Sequence, residues 1–213
     1  MKVEEFTKFL GVTIDGKISW KQHIDTLSSR LNTSLYILKR IKHSSDEATT
    51  KTAYHALFES HLTYGLAAWG GTTAGNLKRI LVLQKRAIRL IKGLEWRESC
   101  RQAFMELNIL TVVALYIREV ILYVDGKPLL KGSDIHCHNT RHASRYQLPT
   151  HRSALYEKTP SYIGRKLHNL LPEDVRSQTG RQLKTALTNW LVKNPFYSMD
   201  EFLQWRAHTN ETI

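Results

Sequence analysis

Cysteine is scarce in this chain, since Cys100 and Cys137 are its only two cysteines in 213 residues. They lie far apart and in no metal-binding pair, which argues against a disulfide scaffold and predicts reduced thiols. Long apolar runs are also absent, because no stretch reaches the about 18 uninterrupted apolar residues typical of a membrane span. The first residues, Met-Lys-Val-Glu-Glu, lack the apolar core of a signal peptide. The sequence therefore predicts a soluble intracellular protein with no membrane partner.

The net charge of +12 is concentrated in two segments that contain few or no acidic residues. Residues 76–92 contain six basic and no acidic side chains, and residues 136–185 contain nine basic and three acidic ones. The rest of the chain is balanced, with 16 residues of each sign. Clustered positive charge is typical of a phosphate-binding surface, although a solvated basic face without a partner would give the same pattern.

The first 20 residues predict a β-hairpin. Phe6, Leu10, Val12 and Ile14 follow a period of two, and Asp15-Gly16 is a loop suited to a tight turn. Gly11 then falls within a strand, where the missing side chain would let a ligand or another backbone approach closely. An ordinary edge hairpin packed on helices is the simpler interpretation of the same pattern.

Helical periodicity dominates the rest of the chain. Four helices are predicted at about residues 19–41, 46–64, 77–92 and 101–124, and shorter ones at 161–171, 180–192 and 199–206. Residues 126–160 lack periodicity and predict an extended basic connector. The helix at 77–92 has one apolar stripe and an opposite basic side, formed by Lys78, Arg79, Lys85, Arg86, Arg89 and Lys92.

Several motifs resemble non-LTR retrotransposon reverse transcriptases of the jockey type. The primer-grip turn of that family is similar to Phe9-Leu10-Gly11 followed by Asp15 and Trp20. Its thumb resembles residues 62–65 (Leu-Thr-Tyr-Gly) with Trp69, and the helix at 83–91 (Leu-Gln-Lys-Arg-Ala-Ile-Arg-Leu-Ile). Its C-terminal region resembles a series of short motifs between residues 139 and 203. These blocks occur in the family's order over almost the whole chain.

The resemblance implies the thumb and tail of such an enzyme. The implied fold is mainly α, with a short N-terminal β-hairpin, a thumb-like helical bundle and a small helical C-terminal region. Its divisions are a primer-grip-like hairpin at 1–18, the bundle at 19–125, the basic connector at 126–160 and the C-terminal region at 161–213. The implied partners are RNA and DNA, held as a template–primer duplex by backbone contacts. The expected nucleic-acid-binding residues are Gly11, Lys78, Arg79, Lys85, Arg86, Arg89, Arg141 and Arg145.

Catalytic residues are not expected in this chain. The family places its metal-binding aspartates on palm strands before the hairpin, and the intact enzyme would use Mg²⁺. The segment Tyr123-Val124-Asp125-Gly126 has one aspartate where that turn has two, and it predicts a helix end. The histidines and cysteine at 136–151 approach zinc-ligand spacing only at His138 and His142, so no metal or other cofactor is expected.

Two functions remain open from the sequence. The chain is either a remnant of an RNA-directed DNA polymerase that retains template–primer binding but lacks the catalytic palm, or a non-enzymatic protein-interaction or inert product of a decayed element. In both cases the chain is expected not to be an enzyme by itself.

Overall fold

The computed structural model describes residues 5–135 and 144–209, and it confirms the mainly α-helical fold with an N-terminal β-hairpin. The strands are β1 (Phe6–Phe9) and β2 (Val12–Asp15). The helices are, in chain order, α1 (Lys21–Ser44), α2 (Glu47–Tyr54), α3 (Ser60–Thr63), α4 (Leu66–Trp69), α5 (Ala74–Lys92), α6 (Arg101–Glu106), α7 (Val112–Asp125), α8 (Gly132–Ile135), α9 (Ala154–Glu157), α10 (Pro160–His168), α11 (Glu173–Arg176), α12 (Gly180–Lys193) and α13 (Met199–Thr209).

The hairpin turn lies at Leu10 and Gly11, so the predicted turn at Asp15-Gly16 is wrong. The strands are antiparallel and Phe9 faces Val12, which leaves two residues in the loop. Both loop residues have positive φ, 45° at Leu10 and 81° at Gly11. Positive φ at both positions is typical of the type I′ two-residue hairpin loop, whose twist matches that of the strands. Gly11 is therefore a turn residue, and the placement of Leu10 on a strand face is also wrong.

Asp15 instead fixes the connection between the hairpin and α1. Its carboxylate accepts hydrogen bonds from the backbone N–H groups of Lys17, Ser19 and Trp20 at 3.1, 3.1 and 2.9 Å. The Ser19 hydroxyl donates to the same carboxylate at 3.1 Å. The backbone hydrogen bond from Ser19 is the main cause that lowers the pKa of Asp15. One side chain thereby stabilises the whole turn into the helix.

The second predicted helix contains a widened turn. Helices α2 and α3 are joined by a π-helical turn at His55–Glu59, which gives one continuous helical segment up to Thr63. The Leu57 carbonyl in this turn accepts a hydrogen bond from the Ser34 hydroxyl of α1 at 2.8 Å. Beyond the segment, the Tyr64 hydroxyl donates to the Leu10 carbonyl of the hairpin turn. The hairpin is thus held by the end of this segment.

The single helix predicted at 101–124 is wrong, because the structure has two helices, α6 and α7, separated by a short break. Asn108 adopts φ 50°, which a regular α-helix does not allow. Thr111 then caps α7, since its hydroxyl oxygen accepts from the Ala114 N–H at 3.1 Å and its hydroxyl donates to the Phe196 carbonyl at 2.7 Å. The break therefore caps α7 and also attaches the segment from Pro195 to Trp205, hereafter called the tail.

Helix α7 lies at the centre of the molecule. Nine of its residues are buried, and it packs against α4, α5, α10 and α12. Helix α10 approaches it so closely that a Cβ at Gly164 would lie 2.2 Å from the Val120 carbonyl oxygen. Side chains from the predicted bundle and from the C-terminal region share this core. The proposed domain limits along the chain stay a prediction.

The connector at 126–160 is tied to the helices on both sides of its undescribed part. Lys131 and Tyr146 form an isolated antiparallel bridge, and the Asn169 side chain bonds both backbone groups of Tyr146 at 2.8 Å. His168 is buried against the Tyr146 ring, and burial lowers the pKa of His168 to about 4. In the parts of the chain that the structure describes, none of the helices combines the length and apolar character needed to cross a membrane.

Candidate nucleic-acid interface

Helices α1 and α5 pack side by side and run in the same direction. Just before the helices, the Thr72 hydroxyl donates to the Ser19 carbonyl at 3.3 Å. Within them, Arg79 Nη2 lies 2.8 Å from Asp25 Oδ1. The two contacts have sequence separations of 53 and 54 residues, and a nearly constant separation of this kind is expected only for parallel neighbours. The N-termini of α1 and α5 therefore share one end of the bundle.

An open groove of about 430 Å³ lies between these two helices. Hereafter called the α1–α5 groove, it is lined by Ser28, Asn32, Gly75, Lys78, Arg79 and Val82. At Gly75, apart from its chain neighbours and the nearby backbone of α5 itself, no heavy atom in the described ranges lies within 4 Å of the position that a Cβ would take. The lining combines cations from α5 with neutral hydrogen-bonding side chains from α1. A surface of this type can contact phosphates and sugars without reading a sequence.

The exposed cations of α5 lie on the side that faces this groove and solvent. Lys78 and Arg86 are exposed, and neither side chain makes a hydrogen bond or an ion pair with any residue in the described ranges. Arg79 is paired with Asp25, but both side chains are about half exposed. Exposed pairs of this kind contribute little to stability, so Arg79 can exchange Asp25 for another anion at low cost. The predicted apolar stripe of α5 is buried, as expected.

Lys85 and Arg89 have a different environment from the one their spacing predicts, because Lys85 contacts the tail and Arg89 contacts the loop that follows α5. The Lys85 ammonium lies 3.4 Å from the centroid of the Tyr197 ring, and burial lowers the pKa of Lys85. Arg89 Nη2 donates to the Glu98 carbonyl at 2.9 Å. Lys92 is paired with Glu106 at 3.1 Å. These three cations contribute to internal contacts, and the open basic side of α5 is smaller than the sequence indicates.

Arg101 fastens the tail in this position. Its guanidinium donates to the Pro195 carbonyl at 2.9 Å and to the Glu201 carboxylate at 2.8 Å, and it lies 4.1 Å from the Tyr197 ring centroid. The other oxygen of Glu201 accepts from the Tyr197 backbone N–H at 2.8 Å. Lys85 of α5 and Arg101 of α6 thus both pack on the Tyr197 ring, and the tail lies against α5.

The remaining predicted residues lie elsewhere. Gly11 is at the hairpin turn, where the Tyr64 ring is 3.5 Å from the position of a Cβ. Arg141 lies outside the described residues. Arg145 is half-buried, its carbonyl accepts from the Gly132 N–H at 2.9 Å, and it adjoins the bridge near α10. Of the eight predicted residues, Lys78 and Arg79 line the α1–α5 groove together, and Arg86 is exposed further along the same helix.

Asp125 and Asp46 have structural contacts at the starts of helices. Asp125 Oδ2 accepts from the Gly180 N–H at 2.7 Å, which caps the start of α12. Asp46 is the N-cap of α2, and its side chain accepts from the Thr49 N–H at 2.8 Å. His151 contacts Glu157 and the Tyr162 ring, whereas His136, Cys137, His138 and His142 lie outside the described residues. Within residues 5–135 and 144–209, no group of three or more acidic, histidine or cysteine side chains is placed to hold a metal ion.

Sequence reasoning missed the contribution of α1 to the interface. Ser28 and Asn32 line the groove although they carry no charge, and segment charge counts do not detect such residues. The detectable signal is their spacing of four residues, which places polar side chains on one edge of a helix whose other edge is apolar.

Similarity to known proteins agrees with the motifs. The chain is 25% identical over 173 residues to the probable RNA-directed DNA polymerase from transposon X-element of Drosophila melanogaster, covering 79% of this chain and 17% of that protein. It is 24% identical over 105 residues to the RNA-directed DNA polymerase from mobile element jockey, covering 48% and 12%. It is 27% identical over 122 residues to the probable RNA-directed DNA polymerase from transposon BS, covering 55% of this chain and 13% of that protein. The jockey and BS proteins are also from Drosophila melanogaster.

The chain therefore spans less than a fifth of the length of these relatives. No family model and no solved structure matches it. The order of its motifs and these similarities lead to one conclusion: the chain is a relative of the RNA-directed DNA polymerases of jockey-like non-LTR retrotransposons.

Proposed function

We propose that this chain binds a template–primer duplex through the phosphate backbone, as the thumb-like part of a reverse transcriptase does. The observation that carries the proposal is the pair of unpartnered, exposed cations Lys78 and Arg86 on the helix that forms one wall of the α1–α5 groove. Long cationic side chains on one helix edge can follow a backbone, and the exposed Asn32 can contact sugars or phosphates on the other wall.

The proposal predicts a specific change in salt dependence. Replacing Lys78 and Arg86 with glutamine should weaken binding of an RNA–DNA hybrid and of duplex DNA alike. The slope of log affinity against log salt should fall by about 2, because about one phosphate contact is lost per residue. Fluorescence anisotropy with labelled duplexes of two unrelated sequences, titrated at several salt concentrations, measures both the affinity and the slope.

A matched control is available on α12, where Arg181 and Lys184 are also exposed. Their replacement with glutamine removes the same charge and should leave the slope unchanged. Since glutamine, lysine and arginine have similar helix propensities, both double variants should retain the helical circular dichroism signal. An equal effect of the two variants would contradict the location of the interface. No binding by the unmodified chain at about 50 mM salt would contradict the function itself and favour an inert or protein-binding product.

The proposal also holds that this chain keeps a substrate in place without extending it. Polymerisation requires metal ions held by carboxylates, and the resemblance assigns those carboxylates to a palm preceding the hairpin. Primer extension by the purified chain with Mg²⁺ or Mn²⁺ should therefore show no incorporation. Asp125→Asn is the diagnostic variant, because asparagine can still accept the hydrogen bond from Gly180. Incorporation that this variant abolishes would give Asp125 a catalytic role and overturn the proposal.

A further inference from the structure

An aromatic and basic surface lies at the C-terminal end of α1, outside the segments where the net charge is concentrated. The Tyr36 side chain is 65% exposed, and an open pocket is lined by Tyr36, Lys39, Arg40 and His43 with Lys42 and Ser44. The spacing of three, four and seven residues from Tyr36 places these cationic and titratable groups around one ring. These first four residues are hereafter called the Tyr36 surface.

The cations of this surface are available to a ligand. Within the described part of the chain, the side chains of Lys39 and Arg40 make no hydrogen bond or ion pair. The single acidic residue of α1 is Asp25, which lies about four helical turns before Lys39 and Arg40 and is engaged by Arg79. The nearest acid after α1 in the chain, Asp46, is the N-cap of α2 and interacts with Lys42, so Lys39 and Arg40 stay unpaired and complement a polyanion. This complementarity decides for a nucleic acid over an uncharged partner.

The exposed ring specifies which part of a nucleic acid fits. Bases inside a duplex are stacked on one another and offer no free face to a side chain. An unpaired base does offer one, and stacking on an aromatic ring is tolerant of sequence. A tyrosine surrounded by cations therefore matches a single strand, whose phosphates pair with Lys39 and Arg40 while one base stacks on Tyr36.

The position of the Tyr36 surface relates it to the α1–α5 groove. Tyr36 follows the groove residue Asn32 by four residues, which is about 6 Å along the helix axis. Lys39 and His43 follow Asn32 by seven and eleven residues and share its helix face. A substrate lying in the groove and extending toward the C-terminal end of α1 would reach Tyr36 within one turn.

We propose that the Tyr36 surface binds the unpaired strand that adjoins the duplex, so that the chain recognises a junction between double- and single-stranded nucleic acid. The inference rests on the proposed function for the duplex part. It assigns the single-stranded part to residues that neither the charge distribution nor the similarities single out.

The test compares one blunt duplex with the same duplex carrying a single-stranded extension of about six nucleotides, a length within the usual single-strand site sizes. The extension is placed at either end and made of RNA or of DNA. The unmodified chain should bind one of the extended substrates about tenfold more tightly than the blunt duplex. Tyr36→Ala should lose this gain, Tyr36→Phe should keep it, and both should bind the blunt duplex as the unmodified chain does.

Tyr123→Ala is the control, since Tyr123 is also exposed and helical but lies on α7 beside Lys127. It should retain the full gain. The inference is overturned if no extension increases affinity, if Tyr36→Phe behaves like Tyr36→Ala, or if Tyr123→Ala loses the gain equally. Binding of the extended substrate without binding of the blunt duplex would support the Tyr36 surface and contradict the duplex function, so the two failures are distinguishable.

Discussion

Replacing Gln84 with leucine is expected to lower the free energy of unfolding by about 4 kcal/mol. The Gln84 side chain is fully buried in the apolar stripe of α5. Its amide donates to the Tyr54 hydroxyl and to the Leu110 carbonyl, both at 2.9 Å, and its oxygen accepts from the Val112 N–H at 2.7 Å. Leucine fills a similar volume but leaves three buried polar groups of α2, the α6–α7 break and α7 without a partner.

Urea denaturation followed by circular dichroism measures this loss. Gln182→Leu on the exposed side of α12 is the matched control and should change stability by less than about 0.5 kcal/mol. A loss below about 1 kcal/mol for Gln84→Leu would show that the hydrogen bonds of Gln84 do not contribute to the packing of the three elements.

Gly164→Ala is expected to destabilise the protein by about 3 kcal/mol, because α10 cannot approach α7 with a methyl group between them. The new Cβ would lie 2.2 Å from the Val120 carbonyl oxygen and 2.7 Å from a Val124 methyl carbon. A backbone carbonyl inside a buried helix cannot move aside without displacing the helix. The expected result is a lower midpoint in urea and a looser C-terminal region, measured by faster amide exchange in α10.

Gly75→Ala provides the opposite case within the same fold. Gly75 is also helical, but open space surrounds the position of its Cβ. Alanine should therefore be neutral or stabilise the protein by up to about 1 kcal/mol, since glycine lowers helix stability. If both glycine substitutions had the same effect, the close contact between α10 and α7 would be wrong.

The sequence predicts the long helices α1 and α5 and the C-terminal helices because their periodicity is strong, whereas the break between α6 and α7 falls inside one continuous apolar pattern. The stripe from Leu77 to Ile91 is buried as expected, and the C-terminal helices begin near their predicted positions. The hairpin turn was misplaced because two adjacent sites, Leu10-Gly11 and Asp15-Gly16, both contain a glycine. The choice between them depends on the hydrogen bonds of Asp15 to the start of α1, which a local pattern does not show.

The interface was predicted in part for a related reason. A helix face defined by spacing indicates which residues point away from the apolar stripe, but it does not indicate which of them another segment covers. Lys85 points away from the stripe and still lies against the tail residue Tyr197, more than a hundred residues later in the chain, and Arg89 is engaged by the Glu98 carbonyl. Lys78 and Arg86 differ from them through the absence of such contacts within the described residues.

The π-helical turn at His55–Glu59 determines how the hairpin is oriented toward the bundle. Such a turn accommodates one additional residue in a helix, and each residue of a helix corresponds to about 100° of rotation and about 1.5 Å of rise. Tyr64, which holds the Leu10 carbonyl, lies downstream of this extra residue. The angular position of the hairpin therefore depends on the number of residues between Leu57, whose carbonyl Ser34 contacts, and Tyr64. Deleting one residue from this segment would rotate Tyr64 away from the Leu10 carbonyl although both residues would still be present.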